Sequence, residues 1–246
     1  GADGSIAIGR NALLALTSGA GNTAIGFDAG KLLTTGSYNT TLGYNSGVAL
    51  ATNTNHATAI GYNALAACNV SGDSFNTAVG SRAGLAVTSG TSNTLIGKDA
   101  GVAIADGVQN TAIGHNAGDA ITTGDGNVLL GYGTIAGDVD AQNRVVIGHT
   151  ATGQADNSVT LGNAGVTAVY MAQDKGAEVY AASAELSISS ATTLGTGAIA
   201  QSTLVSGGHL IVKNSNTTDN NMESLIFRDS GGFCNAAIVC KNVDHD

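Results

Sequence analysis

The stretch Asn22-Thr23-Ala24-Ile25-Gly26-Phe27-Asp28-Ala29-Gly30-Lys31-Leu32-Leu33-Thr34-Thr35-Gly36-Ser37-Tyr38 runs straight into Asn39-Thr40-Thr41-Leu42-Gly43-Tyr44, and that restart decides the fold. The opening block Asn22–Gly26 returns at Asn39–Gly43, Asn76–Gly80, Asn93–Gly97, Asn110–Gly114 and Asn127–Gly131. Looser copies close at Gly9, Gly61, Gly148 and Gly162. Successive closing glycines are 17, 17, 18, 19, 17, 17, 17, 17 and 14 residues apart. A fixed period of this size marks a repeat protein, in which each unit buries its apolar surface against the next. The longer intervals are expected to absorb their extra residues in turns, around Thr52 to Asn55 and Asn69 to Asp73.

Working outward from the closing glycine, three columns read as a short strand. The residue before it is Ile8, Ile25, Leu42, Ile60, Val79, Ile96, Ile113, Leu130, Ile147 or Leu161. Two further back stands Ile6, then Thr23 through Thr111, then Val128, Val145 and Val159. These two columns share one strand face. The residue between them, from Ala7 and Ala24 to Val146 and Thr160, occupies the other face and is also small or apolar. Apolar residues on both faces point to a second packing layer, most simply other copies of the chain. The Ile/Leu column reads as the main packing column, so Ile113→Asp is expected to lower both trimer yield and melting temperature.

After the glycine come a variable residue and usually Asn or Asp: Asn11, Asp28, Asn45, Asn63, Asp99, Asn116. Apolar positions then follow at i, i+3 and i+4, as in Ala29/Leu32/Leu33 and Ala100/Ala103/Ile104. That is helical spacing behind an N-cap residue, and it predicts about one helical turn per repeat. Gly30, Gly47, Gly84, Gly101 and Gly118 weaken that helix, and a second short strand is the alternative. Gly19, Gly36, Gly90, Gly107 and Gly124 end the segment and suit a positive φ.

Composition agrees with a core built by repetition. Of 246 residues, 36 are Gly, none is Pro or Trp, and aromatics are 4%, so large rings cannot fill a globular centre. The net charge of −9, with 11% charged residues, excludes the basic surface that a nucleic-acid binder needs. No apolar run approaches the roughly 18 residues of a membrane span, and the first residues form no signal peptide. The expected architecture is mainly β: a solenoid or β-roll-like fibre of 17-residue coils with short helical turns, assembled as a parallel homotrimer and followed by a small β region. Residues 1–162 form the shaft of ten units, 163–206 a transition, and 207–246 the start of a β-rich domain. Strand candidates there are His209–Lys213, Ser224–Arg228 and Ala236–Lys241. The chain reads as a fragment of a longer protein.

The run NTAIGFDAGKLLTTGSYNTTLGYNSG, Asn22 to Gly47, resembles the glycine-rich repeats of bacteriophage tail fibres. These are similar to the head repeats of trimeric autotransporter adhesins, whose unit is shorter. The likeness covers about residues 1–162, and residues 209–246 also resemble a segment that follows such repeats. It implies a parallel homotrimer in an extracellular virion appendage. Its partners would be other tail or baseplate proteins and a host surface receptor such as a glycan, with no nucleic acid and no membrane insertion. No self-cleaving chaperone is visible in these residues.

No enzyme emerges from the side chains, and no catalytic, cofactor-binding or metal-binding residue is assigned. Cys68 falls in the column of Leu16, Leu33, Leu50, Val87, Ile104 and Ile121, so it reads as a buried thiol. Cys234 and Cys240 are roughly 20 Å apart if they share an extended strand, too far to bond directly. His115 and His149 share the variable column two coils apart, about 10 Å, and cannot chelate one metal together. His56, His209 and His245 are scattered. Asp138, Asp140 and Asn143 could hold Ca²⁺ but read better as a solvated loop. The variable column Arg10, Phe27, Tyr44, Tyr62, Ser81, Lys98, His115, Tyr132, His149 either stacks on sugars or caps the coil edges. Rival readings are a cellular surface adhesin, an ice-binding Thr array and a glycan-degrading solenoid.

Overall fold

The computed structural model describes residues 3–50, 52–167 and 169, with the backbone of two strands further on. The chain divides into two units, Gly1–Glu178 and Val179–Asp246. In the first, ten three-residue strands form one parallel sheet in chain order: β1 (Ile6–Ile8), β2 (Thr23–Ile25), β3 (Thr40–Leu42), β4 (Thr58–Ile60), β5 (Thr77–Val79), β6 (Thr94–Ile96), β7 (Thr111–Ile113), β8 (Val128–Leu130), β9 (Val145–Ile147) and β10 (Val159–Leu161). Each strand sits in register on the next, Ile25 on Leu42 on Ile60 on Val79, straight through the 18- and 19-residue intervals. This is a parallel β-solenoid of about nine turns, and coil n below is the one that carries strand βn. In the second unit β11 (Glu223–Arg228) and β12 (Cys234–Cys240) pair antiparallel. They cover two of the three expected strands; His209–Lys213 lies outside the described residues. Cys234 and Cys240 are the two ends of β12.

The expected helical turn is not there: no helix occurs among the described residues. The residues read as N-caps are instead in the left-handed region, with φ of 59° at Asn11, 54° at Asp28, 54° at Asn45 and 58° at Asp99. Asn and Asp tolerate that region for the reason that makes them good caps, a short polar side chain that bonds locally. A second left-handed residue follows two positions on, Gly30 at 56° and Gly101 at 55°, so the glycines that weakened the helix belong to its replacement. Amides alternate in purpose. Ala12, Leu14 and Leu16 donate back three residues to Gly9, Asn11 and Leu13, whereas Leu13, Ala15 and Thr17 donate to Ala29, Lys31 and Thr34 of the next coil. Every second N–H therefore ties coil to coil, which an α-helix does not allow. Of the trio Ala29/Leu32/Leu33, only Ala29 and Leu33 are buried, and Leu32 points out.

The turn glycines also differ from expectation. Gly19, Gly36, Gly90, Gly107 and Gly124 do not have positive φ. They lack a side chain because a Cβ would lie 1.8 Å from the Gly36 carbonyl oxygen at Gly19, and 2.4 Å from that of Gly107 at Gly90. Coil contact, not backbone conformation, selects glycine at these positions.

The core is a narrow column enclosed by the coils. Its wall on the sheet side is the middle residue of each strand from β2 to β9: Ala24, Thr41, Ala59, Ala78, Leu95, Ala112, Leu129 and Val146 are all buried. Facing them are Leu33, Leu50, Cys68, Val87, Ile104 and Ile121, the column in which the sequence placed Cys68. Burial pushes the Cys68 thiol above its ordinary value. The Ile/Leu column read as the main packing column lies on the outside of the sheet. Leu42 is 41% exposed and Leu130 43%, while Ala59 and Leu129 are at 0%.

One interior column is polar. Asn22, Asn39, Asn76, Asn93, Asn110 and Asn127 are buried and form a ladder along the coil corner. The Asn39 amide N–H donates to Asn22 Oδ1 (2.9 Å), and the Asn22 Nδ2 donates to the Gly36 carbonyl (2.9 Å). The same pair of bonds recurs at Asn93, Asn110 and Asn127. Each side chain thus satisfies an N–H and a C=O that the corner would otherwise bury unpaired, at about 1–3 kcal/mol per orphaned group. Coil 4 has Ala57 in this column, and the Ser74 hydroxyl accepts the Asn76 Nδ2 instead (2.8 Å). In coil 9 the ladder ends on buried Arg144, whose backbone N–H donates to Asn127 Oδ1 (3.0 Å).

Candidate functional site

The outer face of the sheet has the properties of a contact surface. Its two outward columns are Thr or Val at the start of β2 to β10, with Ile6 in β1, and Ile, Leu or Val at the end. Within coils 2–7 the Thr side is half-buried in an unbroken series from Thr23 to Thr111. The apolar column gives a continuous ridge, since parallel register sets each Ile or Leu directly on the next. Contiguous exposed apolar patches larger than about 300–600 Å² are uncommon on monomers and mark interaction surfaces.

Two flanking columns border this strip, one at each end of the strands. On the far side stand Arg10, Phe27, Tyr44, Tyr62, Ser81, Lys98, His115, Tyr132 and His149. On the near side stand Gly21, Tyr38, His56, Phe75, Ser92, Gln109, Gly126 and Asn143, every one with positive φ. Both columns stack. Phe27 and Tyr44 lie 5.0 Å apart at 10°, Tyr44 and Tyr62 5.7 Å apart, and the Arg10 guanidinium sits 5.7 Å from the Phe27 ring. On the near side Tyr38, His56 and Phe75 stack at 5.3 and 5.4 Å. The sequence singled out the far column; the near one was missed, although Tyr38, His56 and Phe75 each stand one residue before the Asn ladder column.

The stacking bears on glycan contact. A ring that holds a sugar offers its face, whereas Tyr44 has a neighbour on both faces at stacking distance. The edges remain free: Tyr38 is 61% exposed and Tyr62 51%. This is the arrangement of the edge-capping alternative.

Electrostatics separates the strip from the rest of the molecule. From the near flank to the far flank each coil contributes seven positions, and none of the chain's 18 Asp and Glu falls in them in any of the ten coils. The acids lie elsewhere. Asp28 is held below the ordinary carboxylate range by hydrogen bonds from Lys31 and Asn11. Asp99 is buried, which works against ionisation, but its contacts to Lys98 and Arg82 (Nε–Oδ1 2.7 Å) outweigh that and lower it. Asp106 is lowered by the Ser89 and Thr88 hydroxyls.

The remaining candidates separate. His115 and His149 flank Tyr132 at 5.2 and 5.3 Å, so an aromatic ring stands between them. Asp138 and Asp140 lie in a turn rather than a strand, and Arg144 occupies the region proposed for Ca²⁺. Its Nη2 donates to Asp138 Oδ2 (2.9 Å), its Nε to Asp156 Oδ1 (2.8 Å) and its Nη1 to the Ala136 carbonyl (2.8 Å). Asp156 is lowered first by the Gln142 backbone N–H and then by Arg144. Among the described residues no three metal-ligating side chains come together. An open cleft in coils 9 and 10 is lined by Thr150, Thr152, Gln154, Thr160 and Asn163, hydroxyl and amide groups without a carboxylate.

The fold and surface define a class, the parallel β-solenoid repeat proteins with an apolar, acid-free sheet face. Set against known proteins, the chain matches no family model, no curated protein and no solved structure.

Proposed function

We propose that this chain is a shaft segment of a homotrimeric fibre, a non-enzymatic structural and host-attachment part of a virion appendage of the phage tail-fibre kind. The observation that supports it is the outward strip: ten rungs in register, each pairing Thr, Val or Ile with Ile, Leu or Val, free of carboxylates. A second copy of the chain has the same coil-to-coil spacing and the same neutral strip, so the two faces match rung for rung. Other tail or baseplate proteins would join the shaft at its ends, and a surface receptor would be met away from the strip. The test is the native mass by light scattering. About three times the 24.1 kDa of the chain supports the fibre; a monomer overturns it.

One observation favours a second reading. The Thr23 to Thr111 column faces outward on the sheet, as an ice-binding array would. Its companion column is Ile, Leu or Val rather than Thr, and in coils 8–10 Val replaces Thr. Thermal hysteresis in a monomeric preparation would favour ice binding over the fibre.

A further inference from the structure

Resting on the fibre reading, the arrangement of the two flanking columns carries a finer inference. In a cyclic assembly of parallel chains, every copy presents the same face to the axis and its strands all run the same way around it. The contact between neighbours is then heterologous: the end of a strand in one copy adjoins the start of the equivalent strand in the next. The far flank of one chain therefore meets the near flank of its neighbour at the same height. We propose that Tyr44 and Tyr62 of one copy pack against Tyr38 and His56 of the next, forming one shared aromatic seam outside the Ile/Leu axis in coils 3 and 4.

Three observations carry this. First, the near-flank rings are held at a conformational cost. Tyr38, His56 and Phe75 have φ of 60°, 56° and 50°, in a column where Gly21 and Gly126 show the residue that adopts that conformation freely. A bulky residue there costs on the order of 1–3 kcal/mol, yet all that the single chain returns is one stacked column with its edges in water. Second, both aromatic runs fall in overlapping coils, with Tyr44 and Tyr38 in coil 3 and Tyr62 and His56 in coil 4, which is what pairing at equal height needs. Elsewhere a large far-flank ring stands opposite a glycine, Phe27 with Gly21 and Tyr132 with Gly126. Third, the area suffices. Nine steps of about 4.8 Å by five residues of about 3.3 Å give on the order of 700 Å² per copy, near the ~800 Å² that each partner contributes to a standard interface. The surface bears no carboxylate, and its cations on the flanks, Arg10 and Lys98, are spaced five coils apart, so like charges do not crowd the seam.

The test uses the full chain with Cys68, Cys234 and Cys240 replaced by Ala. Chains carrying Tyr38→Cys and chains carrying Tyr44→Cys are co-expressed with different tags and treated with a short bis-maleimide. The expected result is a covalent dimer that contains both tags, while either variant expressed alone gives none. A covalent dimer from one variant alone overturns the seam, because it pairs like flanks. So does the absence of a mixed dimer when light scattering still shows a multimer, and in that case the fibre reading survives. A monomeric mass overturns both. The pair His56→Cys and Tyr62→Cys repeats the experiment one coil on, should the first pair fold poorly by circular dichroism.

Discussion

Ala112 and Ile113 are neighbours in one three-residue strand, and the molecule treats them oppositely. Ala112 is walled in at 0% exposure inside the coil. Ile113, the larger and more apolar, belongs to the outward ridge. In a globular sheet the bigger side chain would go in. Here the coil interior is narrow, so the middle position takes Ala in five of the ten coils and the bulk is left outside. The outer column therefore contributes to assembly, and the inner one to the coil itself.

The sharpest way to break this contrast is a matched pair of charges. Ala112→Asp buries a carboxylate with no partner and is expected to cost about 4 kcal/mol or more, read as loss of the cooperative melt by circular dichroism. Should Ala112→Asp leave the melt intact while Ile113→Asp abolishes it, the faces are assigned the wrong way round. Next comes Gly114→Ala. At φ 135° its new Cβ would lie 2.4 Å from the Gly131 carbonyl oxygen, and about 2–3 kcal/mol of destabilisation is expected in a urea titration. Asn110→Ala should cost about 2 kcal/mol, because it strands the Asn127 N–H and the Gly124 carbonyl, whose hydrogen bonds it removes.

Acid sharpens the contrast further, since the lowered carboxyls all lie off the strip. Asp28, Asp99, Asp106 and Asp156 have folded values below the ordinary carboxylate value. Their stabilisation is complete above an unfolded value of about 3.9 and is lost as pH falls through the lowered folded values. The melting temperature should hold from pH 7 to about 5 and fall below about 4. Asp156→Asn should reduce that dependence and loosen coil 10, seen as faster amide exchange at Val159 to Leu161. The smallest expected effect on the coil is that of Ile113→Asp, within about 0.5 kcal/mol for a monomer, with the loss appearing instead in native mass.

Much of this was written plainly in the sequence. The closing glycines gave the rungs, the insertions went to turns, and Cys68 sat in its Leu/Val/Ile column. Face assignment was not legible, because Thr-Ala-Ile alternates in size but hardly in polarity, and size pointed the wrong way. The helix failed for a different reason: Asn and Asp serve equally as N-caps and as left-handed turn residues, and only the amide pattern separates the two. The Asn ladder left a readable signal, six Asn at one position of a fixed period. A polar column so regular implies an internal bonding role. The acid-free strip could also have been counted from the letters once the columns were aligned.

The coil-to-coil bonds have a kinetic consequence. In the regular coils each strand pairs with one only 17 to 19 residues away, so no rung waits for a distant partner. Every closure carries nearly the same small entropic penalty, and a finished coil is the template for the next. Such a chain can zip from any nucleus, and with no proline it has no prolyl isomerisation to stall it. A β protein of this length would ordinarily fold slowly through long-range pairings. This one can wind up coil by coil at the speed of local contacts.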